Sequence, residues 1–343
     1  MPKRRPTSVD VAKAADVSRT TVSFVLNNRT DVRISEETRQ RVLAAARKLN
    51  YHRDATGRRL ATGKTHILGL VVSQSPDRVA ADAFLPQVMH GLQQAAHQQG
   101  YHILFHAQEP GQDHLVYTHL IRERHVDGIV LSGPRTDDTE LVKLHREGVP
   151  IVLLGQLPDT NIPFVDVDNV GGARMAVEHL LDLGHTRIGI ITNAPVTYTA
   201  SRDRLAGYKA ALKVRGVRFD KALVCLGDFT EASGEAAMSC IFKTSSHPTA
   251  VFVASDVVAL GALRAIKARK LHVPDDISLV GFDDVPLASY VEPPLTTIRL
   301  PAYELGWGAG ERLIRLIGGE NLPEPGVLLE TKLVVRGSTR QVA

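Results

Sequence analysis

The chain has 343 residues, 43% hydrophobic and 23% charged, enough to bury a large core and too many for one typical domain. Its two cysteines, Cys225 and Cys240, lack metal-ligand spacing and read as reduced core residues. No apolar run follows the basic N-terminus and no stretch of about 18 apolar residues occurs, so neither an export signal nor a membrane span is expected, and a cytoplasmic location is. Charge is concentrated: residues 1–64 hold 15 Lys/Arg against 6 Asp/Glu while the whole chain is only +4, so a basic head suited to a polyanion precedes a mildly acidic body.

The head reads as three short helices. Thr7 or Ser8 can cap the first, which carries Val11, Ala12 and Ala15, and Ser18 can cap a second bearing Val22, Val25 and Leu26 after a tight connection through Asp16 and Val17. After a polar break at 27–30, Ser35 caps a third helix with Val42, Ala45, Ala46 and Leu49 at intervals of three and four. This is helix-turn-helix spacing, and it leaves the second helix free to enter a DNA major groove. Its outward residues are Arg19, Thr20, Thr21 and Ser23, with Phe24 a turn further on. Arginine can fork onto guanine, threonine can bond base edges or touch a thymine methyl, and Phe24 either packs on thymine methyls or plugs the core of the head itself. In the run 54–61, Leu60 stands beside Arg58 and Arg59 in a segment too short to have its own core. The segment is either a solvated linker or a minor-groove wedge whose arginines neutralise phosphate, with Ser18 as a further backbone or hinge contact.

From Thr65 onward apolar runs alternate with helical segments. Strands are expected at Ile67–Val72, Tyr101–Phe105, Gly128–Leu131 and Ile151–Leu154, with helices at 84–99, 113–124 and 138–147 between them. A second series follows Asp168: strands Arg187–Ile191, 222–226, Val251–Ala254 and Ile277–Val280, with helices at 171–183, 204–214, 231–243 and 257–269. Two parallel sheets in succession predict two lobes and a ligand cleft where both present the carboxyl ends of their strands.

Polar residues just beyond those strands are the candidate lining: Ser73 and Ser75, Ser132, Ser255 and Asp256, Asp283 and Asp284, with Arg204 opening a later helix. An Arg and an Asp across a cleft can hold vicinal hydroxyls, the one donating and the other accepting, although each residue could equally cap a helix or sit in a surface ion pair. Asp256 in particular reads as a helix-start residue. The 14 histidines are scattered, and there is no H-E-x-x-H, no G-x-G-x-x-G after a strand and no complete phosphate loop, so neither catalytic residues, a metal nor a cofactor is expected.

These residues carry a resemblance. From about Thr7 to Thr339 the chain resembles the LacI-type family of bacterial transcription regulators, through Val11-Ala12-Lys13, Val17-Ser18, Thr21-Val22-Ser23 and Val25-Leu26-Asn27 in the head. In the body it does so through Val167-Asp168-Asn169, Arg204-Leu205-Ala206-Gly207-Tyr208, Gly227-Asp228-Phe229, Gly281-Phe282-Asp283-Asp284 and Val335-Arg336-Gly337-Ser338-Thr339. The resemblance implies a helix-turn-helix head over 1–52, a hinge segment over 53–64 and a periplasmic-binding-protein-like core of two lobes. The first lobe would span 65–164 and be completed by 299–326; the second would span 165–298 and be completed by 327–343.

The resemblance further implies a homodimer on a roughly palindromic double-stranded operator, with bases read by Arg19, Thr20 and Phe24 and the minor groove by Leu60. It also implies a small-molecule effector, a sugar or sugar derivative, between the lobes. Effector contacts carried over are Arg204 and Asp283, then Asp168 and Phe229, and Ser75, Phe84 and Ser132 on the first lobe. Ser255 stands where many members have asparagine, Gly155 where several have a ligand-binding aspartate, and Gly57 where alanine is common. With no leucine heptads after Thr339, a dimer is expected rather than a tetramer. The implied function is a repressor released by its effector; an activator is the alternative, and a two-lobed solute-binding protein or enzyme a more distant one.

Overall fold

The computed structural model describes residues 6–26, 29, 32–51, 63–109 and 116–342. The chain forms two compact units, Met1–Thr65 and His66–Ala343.

In the first unit, α1 (Ser8–Ala15), α2 (Arg19–Leu26) and α3 (Glu36–Lys48) form where caps and periodicity put them. Thr7, not Ser8, is the first cap: its hydroxyl accepts from Asp10 N at 3.4 Å while the Asp10 carboxylate accepts from Thr7 N at 2.8 Å. Asp16 then takes the left-handed conformation, φ 51°, which ends α1 and reverses the chain before α2. Val11, Val22 and Val42, one from each helix, are fully buried at the centre of a small apolar core. The hinge segment expected over 53–64, with Arg58, Arg59 and Leu60, falls almost wholly outside the described residues, Gly63 and Lys64 excepted.

The second unit holds two six-stranded sheets. The first, wholly parallel, runs β11 (Gly326–Leu329), β5 (Phe164–Val167), β4 (Ile151–Leu154), β3 (Gly128–Ser132), β1 (Ile67–Val72) and β2 (His102–Ala107). The second runs β12 (Lys332–Val334), β10 (Thr296–Arg299), β9 (Ser278–Asp283), β8 (Ala250–Val253), β6 (Ile188–Ile191) and β7 (Val224–Cys225), parallel except for β12. Leu68, Leu70, Ile129, Val130, Ile190, Val251 and Phe252 are fully buried, as expected of strands covered on both faces.

The lobe boundaries differ from those expected. β5 pairs with β4 and β11, so the first lobe runs on to Val167 rather than stopping at 164, and the second begins with α8 (Asn169–Asp182). Likewise Gly326–Leu329 pairs with Phe164–Val167, so the chain rejoins the second lobe after Leu329 rather than near Val327. A strand belongs to the sheet that takes its hydrogen bonds, and Phe164–Val167 and Gly326–Leu329 carry too few apolar residues in a row to be told from connections by sequence. Cys240 also departs from its reading: Cys225 is buried, but Cys240 is exposed.

The remaining helices cover the sheets: α4 (Pro76–Ala81), α5 (Leu85–Gln98), α6 (Val116–Arg122) and α7 (Thr139–Arg146) in the first half. After α8 come α9 (Thr199–Val214), α10 (Glu231–Ile241), α11 (Asp256–Ala268) and α12 (Ala302–Ile317). Among the described residues, no helix is long and apolar enough to cross a membrane and no group of three or more His, Cys, Asp or Glu could hold a metal ion.

Helix α12 returns to the first lobe by packing on α5, and the two backbones meet at glycine. A Cβ on Gly91 would overlap the Tyr303 carbonyl, and one on Gly306 the Val88 carbonyl. Gly306→Ala therefore forces apart two packed helices and is expected to lower unfolding free energy by about 1–3 kcal/mol. Urea denaturation measures this, and an unchanged midpoint would show that the helices separate without cost.

Candidate functional site

In the head, Ser18, Arg19, Thr20 and Ser23 are exposed and Thr21 and Phe24 half-buried, all on or just before the first two turns of α2. Ser18 Oγ accepts from Thr21 N at 3.0 Å and lies 2.9 Å from Thr21 Oγ1, so these two hydroxyls organise the start of the helix while Arg19, Thr20 and Ser23 face outward. Val22 and Val25 fill the core, and Phe24 is not part of it; the Arg29 guanidinium lies 5.6 Å from the Phe24 ring centre. The face is thus cationic and hydroxyl-rich with one aromatic ring, the chemistry that reads base edges and thymine methyls.

In the body, the strand ends of both lobes enclose a cleft of about 930 Å³, mouth included. Phe84, Ser132, Arg204, Phe229, Ser255 and Asp283 all line it. Ser75 and Asp168 do not: Ser75 precedes α4, and Asp168 is an exposed cap whose carboxylate accepts from Gly171 N at 2.7 Å. Asp166 and Asn169 stand in the cleft where Asp168 was expected, because β5 ends at Val167 and Asp168 turns away to cap α8, while the first turn of α8 carries Asn169 beside Asp166.

Arg204 organises the cleft floor. It is 7% exposed, with Nε donating to Asn169 Oδ1 at 2.9 Å, Nη1 donating to the Ala254 carbonyl at 2.7 Å, and Asp283 Oδ1 at 3.5 Å. Its guanidinium lies 3.8 Å from the centre of the Phe282 ring. Burial pushes the Arg204 pKa down, opposed by Asp283, Asp166 and Asp256. Burial likewise lifts the Asp283 carboxyl to about 7, against the pull of Arg204, and Asp166 to about 6. Asp82 is also raised by burial, although its Oδ1 accepts from Phe84 N and Leu85 N at 2.7 and 3.1 Å. Asp256, fully buried, takes the helix-start position read from sequence and is internally satisfied by Thr297 Oγ1 at 2.7 Å and Val285 N at 3.0 Å.

The cleft wall is also a junction between lobes. Tyr198 donates its hydroxyl to the Ser73 carbonyl at 2.5 Å and pairs through its backbone with Arg135, while Thr136 N donates to the Thr197 carbonyl at 2.9 Å. Phe229 stands edge-on to the Tyr198 ring, 5.0 Å between centres, and Arg78 reaches Asp228 at 3.1 Å.

Gly155 lines the cleft at φ 115°, and a Cβ there would come 2.8 Å from Pro134 Cγ and Cδ. This backbone leaves no room here for the aspartate that several family members carry at that position. The sequence reading missed Gln74, Asp82, Asn193 and Tyr198. Gln74 and Asn193 obey the same rule that found Ser132, since each follows a strand end by two residues; Asp82 and Tyr198 lie in connections whose course only the fold defines.

Residues 8–54 match the bacterial regulatory proteins of the lacI family, and residues 177–339 the periplasmic binding protein-like domain. The chain is 36% identical over 339 residues to the HTH-type transcriptional regulator CelR of Thermobifida fusca, covering 98% of this chain and 99% of that one. A solved CelR–cellobiose complex superposes with a TM-score of 0.76 at 35% identity, covering 97% of this chain and all of the other. The Lac repressor dimer bound to operator and the anti-inducer ONPF superposes at 0.86 with 31% identity, covering 98% and 100%. A basic helix-turn-helix head, a two-lobed body and full-length relatives in the same order place the chain in the LacI family of DNA-binding transcription regulators, to which it belongs.

Proposed function

We propose that this chain is a cytoplasmic, homodimeric transcriptional repressor whose operator affinity is set by a sugar or sugar derivative bound between the lobes. The observation that carries the reading is the Arg204–Asp283 pair at the floor of a cleft walled by both lobes, on the same chain as an exposed cationic recognition helix. A carboxylate and a guanidinium side by side accept from and donate to adjacent hydroxyls, and Phe84 and Phe229 offer apolar surface to the ring that bears them. The CelR–cellobiose complex and the operator-bound Lac repressor supply the parallel for both ends of the chain.

A ligand touching both lobes stabilises one arrangement of them over another, and can shift operator affinity only by its differential affinity for the two. Operator and effector then alter each other's binding by the same factor. On this reading the effector releases the repressor; an effector that tightened operator binding would reverse the sign.

Arg19→Ala removes the one cation among the first-turn residues of α2. It is expected to weaken specific operator binding by about 1–3 kcal/mol, measured by fluorescence anisotropy at fixed salt. Equal losses on specific and random duplex would reduce Arg19 to a phosphate contact. Asp283→Asn keeps the shape but not the charge of the acceptor, and a tenfold or greater loss of effector affinity by calorimetry is expected; a change under twofold removes Asp283 from the site.

The buried acids also set a pH dependence. Because the folded protein holds the Asp283 proton up to about pH 7 against an ordinary 3.8, this group's contribution to stability is present below about 4 and lost as pH rises through 7. The unliganded body should therefore lose thermal stability between about pH 5 and 7.5, and Asp283→Asn should flatten that slope. Identical slopes for the two proteins would contradict a buried, proton-holding Asp283.

A further inference from the structure

The two lobes share an internal correspondence in the cleft that the Arg204–Asp283 pair does not use. β1 lies between β3 and β2 in the first sheet, and β6 lies between β8 and β7 in the second, so these two strands hold the same place in their lobes. β1 ends at Val72 and β6 at Ile191. Gln74 and Asn193 are each the second residue beyond, both 5% exposed, and both line the cleft. Each side-chain carbonyl oxygen, Gln74 Oε1 and Asn193 Oδ1, is enclosed without a hydrogen-bond partner among the described residues. A buried carbonyl oxygen left unpaired costs about 1–3 kcal/mol, and two such oxygens, on residues at matching positions in the lining of one cleft, mark where the hydroxyl groups of a ligand complete the structure.

Their backbones are fixed. Gln74 N donates to the Val72 carbonyl at 2.9 Å, and the Asn193 carbonyl accepts from Phe229 N at 2.8 Å, so the backbones of Asn193 and Phe229 are tied together.

The charge around them is one-sided. Arg204 is the one cation among the described residues lining the cleft, and it is engaged by Asn169, the Ala254 carbonyl and Asp283. Asp82, Asp166 and Asp283 line the same space. Two further cations near the cleft wall are engaged, Arg78 by Asp228 and Arg135, over the Tyr198 ring, by Asp137. A phosphate dianion entering here would face three carboxylates and no uncommitted cation; hydroxyl groups would find acceptors on every side.

Building on the effector reading above, we infer that Gln74 and Asn193 are the paired specificity residues of the cleft. Each lobe offers one amide to an uncharged, hydroxyl-bearing ligand that spans them, and phosphorylated forms of that ligand are rejected. The spanning geometry makes the ligand itself the bridge: it satisfies one orphaned amide in each lobe only when the lobes are together. Hydroxyl groups on two edges of the molecule are therefore required, one for each amide.

The test uses the full-length chain and a panel of neutral monosaccharides, disaccharides and nucleosides, each beside its own phosphate ester, at pH 7.5. Thermal shift ranks the panel and calorimetry follows the hits. At least one neutral member is expected to bind, with its ester at least tenfold weaker. Gln74→Ala and Asn193→Ala should each weaken the neutral ligand about tenfold or more, and the near-isosteric Gln74→Met and Asn193→Leu, which lack the acceptor oxygen, serve where an alanine variant fails to fold, with the same loss expected. A deoxy analogue lacking the hydroxyl that meets one amide should lose affinity for the wild type but little further for the variant lacking that amide, a result that general loosening of the cleft would not give.

An ester that binds as tightly as its parent, substitutions that leave affinity within twofold, or a panel in which no neutral member binds would each overturn the inference. Operator binding measured on the same preparations without any ligand tests the regulator reading separately, so failure of one is not failure of the other.

Discussion

A guanidinium buried to 7% exposure cannot stand alone, and the arrangement of the cleft follows from what it takes to hold Arg204 there. Leaving such a charge without partners would cost several kcal/mol. It is met instead by three elements converging from different parts of the second lobe: Asn169 at the start of α8, the Ala254 carbonyl beyond β8, and Asp283 at the end of β9. Phe282 supplies the face on which the guanidinium lies. Removing any one partner unbalances the rest, because Asp166 and Asp283 are themselves buried acids that depend on the same positive charge.

That demand explains the backbone at the end of β9. Asp283 and Asp284 adopt φ of 118° and 55°, in the region that ordinarily favours glycine. A residue held this way costs of order 1–3 kcal/mol and persists where its surroundings over-determine it. Here Asp284 is clamped by Arg336 and Arg299, both at 2.6 Å, and Arg336 also donates to the Leu295 carbonyl at 2.7 Å. The strand end is thereby anchored from the chain's last segment, and Asp283 is delivered into the cleft. Phe229, at φ 72°, is a further such residue lining the cleft.

The second constraint is that one cleft is built from a chain crossing repeatedly between two sheets. Tyr198, Thr197 and Thr199 of the second lobe bond to Ser73, Thr136 and Pro134 of the first, at the wall of the same space that Arg204 floors. A molecule in that space meets both lobes at once, and its binding energy becomes available to bias how they stand. Such coupling needs no dedicated pathway; it needs two arrangements and a ligand that prefers one.

The sequence by itself determined the division into a basic head and a two-lobed body, the three caps and apolar stripes of the head, most strands, and six of the eight residues carried over to the cleft. These are local or periodic signals, Phe84 and Phe229 excepted, which came from the family resemblance alone: a cap is read from four residues, a buried strand from its apolar run, and Ser132 or Asp283 from following such a strand. Tertiary structure decided whatever depended on which neighbour a segment found. Phe164–Val167 and Gly326–Leu329 joined the first sheet because each is the other's hydrogen-bonding partner across some 160 residues of sequence. Asp166 rather than Asp168 lines the cleft because β5 ends at Val167 and Asp168 turns to cap α8, and Phe24 lies outside the head core that Val22 and Val25 fill. The matched, unpaired amides of Gln74 and Asn193 followed from the same cause. Each is an ordinary polar residue after a strand, and only the packing of two lobes around one space leaves both without a partner.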